Sequence, residues 1–296
     1  MVDHVPLPEI QDSMPEHPLS IDRVGIRGVR RRINIYSPIG VFSYDARIDI
    51  YVDLPSKQRG IHLSRSLETV LEALEEARVG RFKSLETLFE NVCKRLLSKH
   101  GYATKAEVVA ETTYFYEEEI NGKTVQEPAD IVLHISVWRD GKVEWSVGAS
   151  IYGMTVCPSA QLAYSTLEGT PLHKSPSHSQ RAKLKIVVKT SNRVVRIEWL
   201  IEAMKEAFSS PTHSLLKRID EYKVIKEAFE KPRFVEDIVR YATYNIAAKL
   251  AKENFPPDTR IMVEAESYES IHPYNVYASR DAFLSDIINE ISNNKV

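Results

Sequence analysis

Cys157 sits in Gly153-Met154-Thr155-Val156-Cys157-Pro158-Ser159-Ala160-Gln161, where the proline restricts the backbone just beyond the thiol. A thiolate is a soft metal ligand or a nucleophile; a buried, inert cysteine is the plainer alternative. His173, His178 and His213 fall in two long polar connections, with His178 in Pro176-Ser177-His178-Ser179-Gln180-Arg181 just ahead of a strand. A neutral imidazole there can ligate a divalent metal, although a solvent-facing loop histidine has the same spacing. Further on, Glu266-Ser267-Tyr268-Glu269-Ser270-Ile271-His272-Pro273 brings a carboxylate and an imidazole three residues apart. One thiolate, two imidazoles and one or two carboxylates form a mixed sulfur, nitrogen and oxygen set suited to zinc or ferrous iron.

Basic residues supply the complementary chemistry. Gly60-Ile61-His62-Leu63-Ser64-Arg65 precedes a helix, whose free N–H groups favour phosphate. Leu216-Lys217-Arg218-Ile219-Asp220-Glu221 sets two cations beside two carboxylates, which suits a polar substrate and equally a surface ion-pair network. The run Arg30-Arg31-Arg32 has the composition of a nucleic-acid patch, but three arginines more often end a solvated strand.

Around these residues is an ordinary globular composition. The 296 residues are 43% apolar and 27% charged with a formal net charge of −2, so the core can be large and no global field attracts nucleic acid or an anionic membrane. Two distant cysteines and no signal-peptide pattern point to a reducing cytoplasm. No stretch approaches the roughly 18 apolar residues of a membrane span. Residues 1–20 are polar and proline-rich and read as an extended arm.

The elements that must position the site follow from periodicity. Strands are expected over 32–36 and 43–52, with a turn at Ser37-Pro38-Ile39-Gly40. Helices follow with apolar stripes at Leu67, Val70, Leu71, Leu74 and at Leu85, Leu88, Phe89, Val92, Leu96; Cys93 belongs to the second stripe and reads as core. Strands over 106–115 and 131–137 close the first half, with Asn121-Gly122 in the polar connection. The second half repeats the order: strands over 143–151 and 184–188, helices over 195–208 and 234–252, strands over 260–265 and 276–278, and a closing helix over 280–291. Irregular connections over 152–182 and 209–231 interrupt it, and connections of that length are functional or disordered. The reading is α+β with antiparallel strand pairs, as an arm over 1–20 and modules over 21–140 and 141–296.

The segments IDRVGIRGVR (21–30), GIHLSR (60–65), YGMTVCPSAQ (152–161), PSHSQRA (176–182), SSPTHSLLKRIDE (209–221) and ESIHPYN (269–275) resemble, in order, the GTP cyclohydrolase IB family, including its archaeal type. The resemblance implies a tunnelling fold of two β-β-α-α-β-β modules with helices on one face, assembled into a homotetramer with active sites between modules. It implies GTP as substrate, opening of the guanine imidazole ring, loss of C8 as formate and closure to a 7,8-dihydroneopterin phosphate. That product is a 2′,3′-cyclic phosphate in the archaeal type and a triphosphate otherwise. One divalent metal per subunit is implied, ferrous iron in the archaeal type, with zinc or manganese as alternatives. The ligands carried over by position are Cys157, His178, Glu206 and His272, with Glu269 as a further ligand or base and Glu221 as the glutamate that anchors or protonates the purine. His62, Arg65, Arg181 and Lys217 are the candidate substrate contacts. No membrane or nucleic-acid partner is expected.

Two positions sit awkwardly with the family. Glu206 lies four residues after Glu202 and eight after Glu198, on the polar helix face, and only the resemblance or an oligomer interface gives it a role. The family usually has Cys-Pro-Cys where this chain has Cys157-Pro158-Ser159, and Ser159 lacks the acidic, polarisable thiol of an active-site residue. Two alternatives stay open. One is a related tunnelling-fold enzyme, such as a nitrile reductase with a cysteine nucleophile and no metal; the other is a non-catalytic nucleotide- or nucleic-acid-binding protein.

Overall fold

A computed structural model describes residues 9–37, 40–120, 122–191 and 193–293. The turn residues Pro38, Ile39 and Asn121 lie outside the described residues. A short 3-10 turn, Ile10–Asp12, precedes β1 (Ile21–Ser37), β2 (Gly40–Leu54), α1 (Leu63–Arg78), α2 (Leu85–Lys99), β3 (Lys105–Ile120), β4 (Lys123–Trp138) and β5 (Val143–Val156). Then come α3 (Pro158–Glu168), a 3-10 turn at Leu172–Lys174, β6 (Ser179–Thr190), α4 (Ile197–Ala207), β7 (Ser210–Pro211) and α5 (Arg218–Glu230). The chain ends with α6 (Val235–Lys252), β8 (Arg260–Ser267), β9 (Val276–Phe283) and α7 (Leu284–Asn293). The strands pair in the order β1-β2-β3-β4-β5-β6-β8-β9, with β7 on β5. The architecture is α+β and antiparallel.

The chain divides into two compact units. The first runs to Thr112 and includes Val132–Trp145; the second comprises Thr113–Ile131 and Ser146 onward, so the outer part of the β3–β4 hairpin clusters with the second unit. In the first unit the inward side chains of β2, β3 and β4, among them Ile48, Ile50, Val108, Leu133 and Ile135, are buried with Leu88, Phe89, Val92 and Leu96 of α2. Cys93 joins them, its Sγ 3.6 Å from the Ile135 carbonyl oxygen. In the second unit Val147, Ala149, Leu184, Ile186, Ile261 and Val263 are buried with Leu200, Met204, Ile238, Ile246 and Leu250. Alternation on the strands and a stripe on each helix bury these side chains, which is why the core was readable from periodicity.

Three local expectations need correction. The α1 stripe is rotated: Ser66, Thr69, Val70, Ala73 and Ala77 are buried, Leu67 and Leu74 are half-buried and Leu71 is exposed. Small residues let α1 approach β1 and α2 closely, and Ser66 hydrogen-bonds the buried His100. The long connections are not irregular throughout, because α3 and α5 lie in them. α3 buries Gln161 alone and α5 buries only Asp220 and Ala228, so neither has a readable apolar stripe. Finally, residues 280–283 continue β9 and the closing helix starts at Leu284. Register with β8 holds them in the sheet, reinforced by the two-pronged Arg260–Asp281 ion pair.

Candidate functional site

The second unit brings several of the proposed residues to the ends of three strands. β5 ends at Val156, and Cys157 then caps α3, with Pro158 at the first helical position. The Cys157 Sγ accepts the Ala160 N–H at 3.4 Å. Its backbone is pinned to the start of β6: Cys157 N–H donates to the His178 carbonyl at 3.1 Å, and Ser177 Oγ donates to the Cys157 carbonyl at 2.7 Å. The buried Gln161 amide donates to the Ser175 and Phe229 carbonyls, fastening α3 to the α5 end.

Gln180, on β6, ties the site together. Its Oε1 lies 3.0 Å from His178 Nδ1, and its Nε2 lies 2.8 Å from Thr155 Oγ1, 3.3 Å from Ser267 Oγ and 3.3 Å from Glu269 Oε1. Ser267 Oγ also donates to Glu269 Oε1 at 2.8 Å. Glu269 Oε2 stands 3.9 Å from His178 Nδ1, and both side chains are largely buried. The His178 and His272 rings meet edge to face with centroids 6.5 Å apart, and Tyr274 stacks on His272 at 5.1 Å. Two imidazoles on one tetrahedral ion place their centroids about 5 Å apart. The observed pair is about 1.5 Å wider than that, and His272 is exposed. A thiol, two imidazoles and a carboxylate also match the donor chemistry of zinc or ferrous iron.

Other proposed residues stand apart. Glu206 is exposed at the end of α4, with no hydrogen bond or ion pair to Cys157, His178 or His272 among the described residues. Its backbone is nonetheless held near the site: the Arg233 guanidinium donates to the Glu206 and Phe208 carbonyls, and the Arg233 N–H donates to Val156, next to Cys157. Burial lowers the pKa of Arg233, which packs over Tyr241 at 3.8 Å. Ser159 and Glu221 are exposed in the first turns of α3 and α5. Lys217 caps α5, where its N–H donates to Asp220, and its side chain is exposed. Arg181 lies over the Tyr152 ring at 5.7 Å, and Tyr152 stacks with Tyr268. In the first unit His62 is 7% exposed and its Nε2 faces Asp12 Oδ1 at 3.2 Å and Glu9 Oε2 at 3.5 Å, while Arg65 also reaches Glu9. Carboxylates from the arm thus occupy the anion side of the GIHLSR segment.

Two groups of carboxylate and imidazole atoms fall within 4.8 Å of one another among the described residues: Glu9, Asp12 and His62, and Glu118, Glu127 and His213. Cys157, His178, Glu206 and His272 do not form such a group. In the second cluster Lys205 pairs with Glu118, His213 Nδ1 lies 3.5 Å from Glu118 Oε2, and Glu127 accepts two hydrogen bonds from Ser214. Burial lowers the pKa of both Lys205 and His213 and pushes nearby Tyr116 up to about 12. Gln180, Thr155, Ser267, Arg233 and Gln161 were not picked out from sequence. All but Arg233 lie inside motifs quoted for other residues, but their roles depend on partners elsewhere along the chain.

The model of the type I GTP cyclohydrolase folE2 family matches residues 7–278. The chain belongs to that family. Relatives of this cyclohydrolase include the GTP cyclohydrolase MptA of Aeropyrum pernix, 43% identical over 94% of this chain and 97% of the relative. The MptA of Methanobrevibacter smithii is 34% identical over 96% and 98%. Among solved structures, uricases from Bacillus fastidious and Arthrobacter globiformis align with TM-scores of 0.54 and 0.51 at 11% identity. These alignments cover 92% and 88% of this chain and 97% and 93% of theirs. At that identity the likeness concerns the fold alone, and the fold is the tunnelling type. No helix among the described residues is long and apolar enough to cross a membrane.

Proposed function

We propose that this family member hydrolyses GTP: it opens the imidazole ring of guanine, releases C8 as formate and closes the remainder to a 7,8-dihydroneopterin phosphate. The observation that supports the reading is that Gln180 contacts both His178 and Glu269, the His178 ring meets His272, and the Cys157 N–H bonds the His178 carbonyl, which brings three separate stretches of chain together. The site takes one divalent cation per subunit, ferrous iron in this reading, held by Cys157, His178, His272 and Glu206. When bound, the cation supplies a water far more acidic than bulk water at neutral pH.

The chain's own residues do the rest. Glu269, fixed by Ser267 and Gln180, is placed to take a proton beside His178. Glu221, in the first turn of α5, anchors the purine and protonates its ring nitrogen. Arg181, Lys217, Arg65 and His62 hold the phosphates, the last two by exchanging the arm carboxylates of Glu9 and Asp12 for substrate oxygens. Glu206, exposed in the single chain, joins the site on assembly to a homotetramer in the cytoplasm. A 2′,3′-cyclic phosphate is the product in this reading.

Anaerobic incubation with GTP and ferrous iron, followed by assay of formate and identification of the pterin, tests the proposal. Cys157→Ala and His272→Ala are expected to abolish formate release and to lower bound metal. Full activity and full metal content in either variant would remove that residue from the site.

A further inference from the structure

We infer that Gln180 is a positioning residue that selects which nitrogen of His178 faces the reacting centre. The inference rests on the reading of Cys157 and His178 as metal ligands, and it follows from counting donors and acceptors. A carboxylate only accepts, so the Glu269 Oε1 atom 3.3 Å away requires the amide NH2 of Gln180 on its side. That same nitrogen serves Thr155 Oγ1 and Ser267 Oγ. The amide oxygen therefore faces His178 Nδ1 at 3.0 Å. An amide oxygen also only accepts, so Nδ1 carries the hydrogen, and the second acceptor near it, Glu269 Oε2 at 3.9 Å, favours the same arrangement. In the neutral ring Nε2 keeps the lone pair.

The opposite amide orientation fails because it would set the Gln180 oxygen against the Glu269 carboxylate; only in that orientation would an NH2 face Nδ1 and move the ring hydrogen to Nε2. Ser267 reinforces the observed choice, because its hydroxyl hydrogen is committed to Glu269 at 2.8 Å and its oxygen is left to accept from Gln180. One half-buried side chain on β6 thereby links Thr155 on β5, Ser267 at the end of β8, and Glu269 beyond it, and transmits their hydrogen-bond order to the imidazole.

Two variants separate the acceptor from the donors. Gln180→Met keeps the length and removes both functions; Gln180→Glu keeps an oxygen for Nδ1 and removes the N–H donors. The apoproteins are titrated with Co(II), followed by the thiolate-to-cobalt absorption band and the d–d bands, alongside steady-state kinetics with GTP. Gln180→Met is expected to bind Co(II) about 10- to 100-fold more weakly, the usual loss when the outer partner of a ligating histidine is removed. Gln180→Glu is expected to bind Co(II) at least as tightly as the unmodified protein while kcat falls, since a second carboxylate now repels Glu269. The split matters because both variants lose the same contacts to Thr155 and Ser267. Wild-type Co(II) affinity and spectrum in Gln180→Met would overturn the inference. So would weakened binding in a folded Gln180→Glu, which decides the matter even if the methionine variant does not fold. Cys157→Ala, titrated in parallel, tests the underlying ligand reading: an unchanged band and affinity there would sink the site assignment, whatever the Gln180 variants do.

Discussion

Gly153→Ala offers a sharp test of how the site is braced. A Cβ built on Gly153 would lie 2.1, 2.3 and 2.4 Å from three ring carbons of Phe208, which is 2% exposed. Ordinary carbon contacts need about 3.5 Å or more, so the ring must retreat by about 1.5 Å. It has little room. Phe208 directly precedes the Ser209 N–H bond to Met154, and Gly153 and Met154 pair with Pro211 and Ser210. The backbone of Gly153 is not in the left-handed region, so the whole penalty is steric. Overpacking of a closed core costs about 1–3 kcal/mol, and the size of this overlap points to the upper end. At about 2–4 °C per kcal/mol for a chain of this size class, Gly153→Ala should melt roughly 6 to 12 °C below the unmodified protein. Phe208→Leu removes the obstructing ring edge, so the double variant should be less destabilised than the sum of the two singles by more than about 1 kcal/mol. Urea unfolding of the four proteins measures the cycle. A Gly153→Ala protein within about 0.5 kcal/mol of the parent, or strict additivity, would refute the argument. GTP turnover should fall with stability, since the segment that follows carries Lys217 and Glu221.

The two cysteines should differ in reactivity. Cys93 is fully buried and burial pushes its pKa far up, so an alkylating reagent should label the native metal-free protein at half-exposed Cys157 only, as peptide mass mapping would show. His100 is buried against Ser66 and Tyr102, and burial lowers its pKa to about 4. The unfolded chain then takes up a proton that the folded one refuses, so stability should fall as pH drops from about 6.5 toward 4; urea midpoints across that range should flatten in His100→Gln. Burial pushes Glu107 upward, but hydrogen bonds from Arg23 and His134 and the charge of Lys105 outweigh it and hold this carboxyl well below the usual range. Its contribution is present at neutral pH and disappears only as pH falls through that depressed value. Arg23→Met should therefore shift acid unfolding to higher pH, as followed by circular dichroism. Ser159→Ala changes an exposed side chain in the first turn of α3, and should alter the urea midpoint by no more than about 0.5 kcal/mol in stability.

How much of this was legible in the sequence depends on range. Parts of most strands and the helices α2, α4 and α6 announced themselves because their side chains repeat with the period of the element and face a core. The order of six motifs sufficed for the family, which the match over residues 7–278 bears out. Helices α3 and α5 were hidden because they bury almost nothing apolar. The α1 stripe was misread because close packing of Ser66, Ala73 and Ala77 outweighed the pull of three leucines. His213 was noticed as a loop histidine, but its carboxylate neighbours Glu118 and Glu127 come from β3 and β4, more than 80 residues earlier.

The order of most elements, the core faces of the strongly periodic ones, the family and the chemical types available for a site were thus settled by the sequence alone, because each is a property of neighbours along the chain or of motifs in series. Only tertiary structure decided that Gln180 would meet Thr155, Ser267 and Glu269, that Arg233 would clasp the end of α4, and that the arm would cover His62. The physical reason is that hydrogen bonds and steric overlaps act over about 3 Å in space with no regard for separation in sequence, so periodicity carries no trace of them.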